Sequence, residues 1–240
     1  MSENNSQYDV IVIGAGVAGL YQLFKLRQLK LKALVIEAGD NVGGTWYWNR
    51  YPGARFDSES WSYGYSFSKE LFEEWDWPEH FAAQPDTLRY LNYVADKFDF
   101  RRDIKFDRRV EACVFDQHNN LWTVRTNTKE EYVARFLITA LGPLSAFTLP
   151  NIEGRETFKG PAYHTARWPH EEVDFSGKRV GIIGTGACAI QTIQTIAKDV
   201  AHLTVFQRSP NWAAPLNNSV ITEDEQKQIK QDFEKIFEQC

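Results

Sequence analysis

Tyr8-Asp-Val-Ile-Val-Ile-Gly14-Ala-Gly16-Val-Ala-Gly19 is the stretch whose reading decides the fold. Tyr8 to Ile13 is a β-branched apolar run without the strict alternation of a half-exposed strand, so it suits a central strand buried on both faces. It stops on Gly14. From Val17 to Leu29 apolar residues recur at helical spacing, through Val17, Leu20, Tyr21 and Phe24. Lys32 to Glu37 returns as a second strand that ends in an acid. Strand, glycine loop, helix, strand and carboxylate in this order make a dinucleotide-binding unit. Gly14 supplies the tight turn, Gly16 lets the backbone approach a pyrophosphate, and Gly19 allows close helix packing. The helix start, Val17 and Ala18 included, offers N–H donors and a positive dipole end to phosphates. Glu37 stands where a carboxylate accepts hydrogen bonds from ribose hydroxyls and repels a 2′-phosphate, which fits FAD or NAD.

Downstream residues favour FAD. Gly43-Gly44-Thr45-Trp46-Tyr47-Trp48 permits a backbone turn beside a ligand, and its aromatics can wall a flat ring. Tyr51-Pro-Gly-Ala-Arg-Phe-Asp57 continues that run. Trp61, Trp75 and Trp77 read equally well as core. Pro85 to Phe100 reads as a helix opened by Asp86, with a stripe of Leu88, Leu91, Val94, Ala95 and Phe98. Short strands follow at Ile104–Phe106, Val110–Phe115, Leu121–Asn127 and Tyr132–Ile138, a meander to which no chemistry is assigned. Phe136 to Leu141 is expected as a buried strand that ends at the Gly142-Pro143 break.

The pattern then repeats. Lys178 to Ile183 is strand-like, Gly184-Thr-Gly186-Ala-Cys-Ala189 is a second phosphate loop, and Ala187 to Ala197 is helical. Leu203 to Phe206 is the returning strand, but it ends in Gln207-Arg208-Ser209. A guanidinium there pairs with a 2′-phosphate, so the second ligand is expected to be NADP. Thr222 and Glu225 read as a capping box. The helix behind them carries Ile229, Phe233, Ile236 and Phe237 on one face, and its pattern still runs at Cys240, as in a chain cut inside a larger architecture.

The chain has 240 residues, net charge −5, 43% hydrophobic and 25% charged residues, ordinary for a globular protein and without a basic field for nucleic acid. Cys113, Cys188 and Cys240 are dispersed, so no disulfide framework or close redox pair follows, and a reducing cytoplasm is the simplest compartment. His80, His118, His164, His170 and His202 show no metal-ligand spacing. No apolar run approaches membrane-spanning length, and Met1 to Gln7 lacks the regions of a signal peptide. The expected fold is α/β, with two Rossmann-like three-layer units, the first with a β-meander insertion. The expected bounds are 1–145 for an FAD domain, 152–216 for an NADP domain and 220–240 for the start of a helical insertion.

Between the two loops lies Phe158-Lys-Gly-Pro-Ala-Tyr-His-Thr-Ala-Arg-Trp-Pro169. Phe158, Gly160, His164, Trp168 and Pro169 match the FxGxxxHxxxWP fingerprint, and with the Gly44–Ala54 run the sequence resembles the type I Baeyer–Villiger monooxygenases. The resemblance implies FAD on Gly14, Gly16, Val17, Ala18, Gly19 and Glu37, with Gly44, Thr45, Trp46, Trp48, Asp57, Tyr63 and Val110 completing that site. It implies NADP on Arg55, Asp57, Gly184, Thr185, Gly186, Ala189, Gln191 and Arg208. His164 and Trp168 would couple the two domains without touching substrate. The implied reaction uses NADPH, FAD and O2 to insert one oxygen atom next to a ketone carbonyl, giving an ester or lactone. Asp57 is the expected catalytic residue, orienting an arginine that lies past position 240 in the longer members. An N- or S-oxygenating flavin monooxygenase and a non-catalytic dinucleotide-binding fragment are the alternatives. A disulfide reductase is set aside for want of a cysteine pair.

Overall fold

The structure is a computed structural model that describes residues 7–238. The sequence expectations for the leader region before Gln7 and for Cys240 lie outside the described residues. Two compact units divide the chain: residues 7–48 with 91–159, and residues 49–90 with 160–238.

In the first unit, β1 (Gln7–Ile13), α1 (Val17–Gln28) and β2 (Ala33–Ile36) form the expected parallel crossover, with Val10 opposite Ala33 and Ile13 opposite Ile36. The short α2 (Thr45–Trp48) follows. The β2 edge is extended by β3 (Ile104–Lys105). Three further strands, β4 (Val110–Asp116), β5 (Leu121–Thr126) and β6 (Glu131–Thr139), pair antiparallel, and β6 joins β1 in parallel. The sheet order is β3-β2-β1-β6-β5-β4, so β1 lies centrally, which is why its apolar run needs no polar face. Ile11, Leu34, Ile36, Val124, Tyr132 and Ala134 form a continuous core, against which Val110 and Cys113 pack.

Two expectations need correction here. The stretch from Phe136 is not a separate buried strand: it continues the meander's last strand, which ends at Thr139, and Phe136 is 54% exposed. β5 pairs only with residues 131–134 of β6, so the later half of β6 has β1 alone as a neighbour. The buried stripe of α1 runs through Gly19, Leu20, Leu23 and Leu26, whereas Tyr21 faces outward with Lys25 over its ring. Close packing on a flat sheet takes the branched leucines and leaves the aromatic rings on the neighbouring face.

The second unit contains α3 (Ser60–Tyr63), α4 (Lys69–Glu74), the first half of α5 (Gln84–Lys97), and a parallel pair, β7 (Arg179–Ile183) and β8 (His202–Phe206), joined by α6 (Ala187–Ile196). Its last helix is interrupted at Asp232, giving α7 (Glu223–Gln231) and α8 (Phe233–Glu238). The Thr222–Glu225 capping box is present in both directions. Trp77 is buried, stacking edge-on against Phe56 and tilted on Tyr90, and Phe72 packs on Phe233 and Phe237. Trp75 joins Trp77 and Tyr90 in this cluster, while Trp61 sits edge-on to His80. These tryptophans are packing residues of their own unit.

Candidate functional site

The two glycine loops have nearly the same backbone. Gly14 and Gly184 both have φ of 103°, a value that L side chains rarely adopt. The N–H of Gly14 donates to Ile36 O at 2.8 Å, and that of Gly184 to Phe206 O at 2.9 Å, so each turn is pinned to the end of the following strand. Each helix opens at its second glycine, Gly16 or Gly186, with no side-chain cap and no acid in the first turn. By contrast α4 and α7 are capped by Ser68 and Thr222. Helix starts left without a capping side chain or acid suit an anionic ligand.

Around the first loop the backbones crowd. A Cβ on Gly19 would lie 1.8 Å from Gly14 O, and one on Gly44 would lie 2.8 Å from Gly16 Cα. Gly43 N–H donates to Ala15 O, which brings the Gly44–Trp48 turn onto the phosphate loop. Gly14, Gly16, Val17, Ala18, Gly19, Gly44 and Thr45 therefore meet at one end of β1. Trp46 is buried and Trp48 half-buried on α2, beside Tyr47. Val110 begins β4 and packs on the core, two residues beyond Arg108, whose N–H donates to Glu37 O.

Glu37 is only 5% exposed. Its Oε2 accepts from Ala15 N–H at 2.7 Å and its Oε1 from Gly39 N–H at 2.8 Å. The carboxylate thus braces the phosphate loop, a role that its sequence position did not announce. A carboxylate has about four lone-pair sites, so two remain beyond these backbone bonds.

The second loop is open where the first is crowded: a Cβ on Gly184 or Gly186 would meet nothing within 4 Å, whereas one on Gly14 would strike Ala140 O at 2.6 Å. Thr185 is held by Gln207 Nε2 on its hydroxyl and by Asn211 Nδ2 on its carbonyl. Arg208 is exposed and has no ion-pair partner among the described residues. Ala189 takes the third position of the loop at the start of α6.

The Tyr51–Asp57 run packs on α6 of this same unit. Tyr51 Oη donates to Gln191 Oε1 at 2.8 Å, and Gln191 Nε2 donates to Arg55 O at 3.0 Å. Burial, then a hydrogen bond with Cys188, pushes the Tyr51 hydroxyl far above the usual phenol range, which keeps it a donor. Gly53 has φ of 79°, and a Cβ there would reach Gln191 O at 2.6 Å, so glycine lets the run touch the helix. Phe56 stacks on Tyr63 with centroids 4.3 Å apart, and Asp57 beside them is exposed. In the fingerprint, His164 Nδ1 accepts from Ala166 N–H at 3.1 Å and caps the turn Thr165–Arg167, while Trp168 packs on Tyr163 and Phe175. Tyr51, Glu79 and Asn218 are the polar partners that spacing could not reveal, since their contacts span long sequence separations.

Residues 11–239 match the pyridine nucleotide-disulphide oxidoreductase family. The chain belongs to this family. It is 48% identical to an acetone monooxygenase (methyl acetate-forming) of Gordonia sp. (strain TY-5), over 94% of the chain and 42% of that protein. It is 43% identical to a phenazine N-monooxygenase of Lysobacter antibioticus, over 99% of the chain and 44% of that protein. Among solved structures, the complex of OTEMO with FAD and NADP matches with a TM-score of 0.93 at 47% identity, covering 98% of this chain and 45% of that one. The chain thus spans less than half the length of these relatives. Baeyer–Villiger monooxygenases are among its homologues, as the Phe158–Pro169 fingerprint led one to expect. Cys113 and Cys188 of this family member are both free thiols, on β4 and α6. No helix among the described residues is long and apolar enough to cross a membrane.

Proposed function

We propose that this chain supplies the dinucleotide-binding part of an FAD- and NADPH-dependent monooxygenase that inserts one oxygen atom from O2 next to a ketone carbonyl. The observation that carries the reading is the pair of matching turns with opposite charge at the following strand end, Glu37 after the first and Arg208 after the second. FAD would lie on Gly14 to Gly19, Glu37 and the Gly44–Trp48 turn, with Asp57, Tyr63 and Val110 as further contacts. The crowded backbone there and the remaining lone pairs of Glu37 fit an adenosine ribose. NADPH would lie on Gly184–Ala189, Gln191, Arg55, Asp57 and Arg208, where the open loop and free guanidinium fit a phosphorylated ribose. FAD, when bound, accepts hydride and activates O2. The chain's own residues bind and orient: the uncapped starts of α1 and α6 take pyrophosphates, Glu37 takes hydroxyls, and Asp57 orients a cationic group by charge. The dispersed free thiols suit a reducing cytoplasm.

The test is ketone-dependent NADPH oxidation with ester or lactone analysis, in a full-length monooxygenase that carries this chain, reconstituted with FAD. Ester formed in step with NADPH consumed is the expected result; no ester from any ketone tried removes the proposal. The phenazine N-monooxygenase match favours a second reading, oxygenation of nitrogen, which an amine or N-heterocycle consumed in preference to ketones would establish. A colourless protein that retains no flavin would leave a non-catalytic dinucleotide-binding fragment.

A further inference from the structure

The Arg55 side chain is 26% exposed, and its guanidinium meets acceptors through Nη1 alone: Glu79 Oε2 at 3.2 Å and Phe81 O at 3.3 Å. A guanidinium carries five N–H donors. Nε and Nη2 of Arg55 have no acceptor among the described residues. Solvent reaches these two donors, and together they present a fork that can grip an anionic, acceptor-rich ligand. Glu79 is itself fixed. Asn218 Nδ2 donates to Glu79 Oε2 at 2.8 Å, and Asn218 Oδ1 accepts from Phe81 N–H at 2.9 Å, so that amide is oriented at both ends. Backbone pairing of Arg55 with Ala83 and of Glu79 with Val220 frames the group, and Gln191 holds the Arg55 carbonyl from α6.

We propose that Glu79, oriented by Asn218, is a positioning residue that aims the open Nε and Nη2 donors of Arg55 at the phosphates of NADP(H). The proposal rests on the reading of this unit as an NADP site. A carboxylate beside an anion site opposes binding by simple Coulomb repulsion. Glu79 therefore has a purpose there only if its hold on Arg55 outweighs that repulsion, which gives the test its sign.

The experiment is titration of the 240-residue chain with NADP+, following tryptophan fluorescence, with thermal midpoints recorded for every variant. Positioning predicts that Glu79→Gln weakens NADP+ binding about fivefold to thirtyfold, in the range of a lost charge-assisted hydrogen bond. Glu79→Asp should recover part of the loss, and Asn218→Ala should weaken binding about threefold without removing any charge. Arg55→Ala/Glu79→Gln should bind no more weakly than Arg55→Ala, because both changes remove one unit. Glu79→Gln binding as tightly as the unaltered chain, or more tightly, overturns the proposal, as does additivity with Arg55→Ala. If Glu79→Gln does not fold, Asn218→Ala decides by the same criteria. Failure of the unaltered chain to bind NADP+ would overturn the NADP reading as well, and that outcome is distinct from binding that Glu79→Gln leaves unchanged.

Discussion

Glu37 and Arg208 follow equivalent strands and meet their surroundings differently. The carboxylate is buried and already accepts two backbone N–H groups, whereas the guanidinium is exposed. Glu37→Gln would set an amide N–H₂ against one of those N–H groups, leaving a buried donor unsatisfied. A loss of about 1–3 kcal/mol and a lower flavin content are expected, read by thermal denaturation and flavin absorbance. Arg208→Glu should instead leave the thermal midpoint near that of the unaltered chain. It should weaken NADP+ about tenfold or more while NAD+ binding changes little, checked by titration with each nucleotide. Equal losses for both nucleotides would remove the 2′-phosphate assignment. Gly19 is a packing residue, since its added Cβ would overlap Gly14 O. Gly19→Ala should cost about 1–3 kcal/mol, seen as a lowered urea midpoint.

At the scale of elements, capping separates the helices by their use. α1 and α6 open on glycine without a capping side chain, while α7 opens on Thr222 with Glu223, Asp224 and Glu225 in its first turn. The Thr222 backbone N–H, and then its hydroxyl, hold the Glu225 carboxyl below its usual range. A depressed folded-state value means that the carboxylate's contribution is present above the ordinary pKa and is lost as pH falls through the depressed one. Amide exchange at the α7 N-terminus, corrected for intrinsic rates, should therefore accelerate as pH drops below about 4. Thr222→Ala should largely abolish that pH dependence. The capping box and the strand–loop–helix order were legible because they are local patterns. The buried face of α1 was less so: Val17, Leu20, Tyr21 and Phe24 fit helical periodicity as well as Leu20, Leu23 and Leu26 do, and only contact with the sheet chooses between them.

At the scale of the molecule, each unit leaves apolar surface in water. In the first, Phe136 of β6 is exposed, with Leu141, Leu144, Phe147, Leu149 and Ile152 after it. In the second, β7 and β8 form a sheet of two strands, on which Ile183 is 64% exposed, with Val205 and Phe206 also exposed. The first loop has Ala140 against Gly14, yet nothing described lies in the matching place against Gly184. Exposed apolar strands bind hydrophobic dyes and other strands. The chain by itself should enhance the fluorescence of an anilinonaphthalene sulfonate dye and sediment with concentration-dependent association. Val205→Lys should reduce both; a dye-silent, strictly monomeric chain would contradict this account.

The sequence by itself determined the two crossover units, the glycines at left-handed positions and the charge at each strand end. These depend on backbone conformation and on residues a few positions apart. Tertiary structure alone decided that the Tyr51–Asp57 run packs on α6, that Glu37 braces its own phosphate loop, and that Asn218 orients the Glu79 carboxylate that holds Arg55. Such contacts join segments more than a hundred residues apart in the case of Arg55–Gln191 and Glu79–Asn218. No periodicity records them, because they are set by how strands and helices stack once the chain has closed over its core.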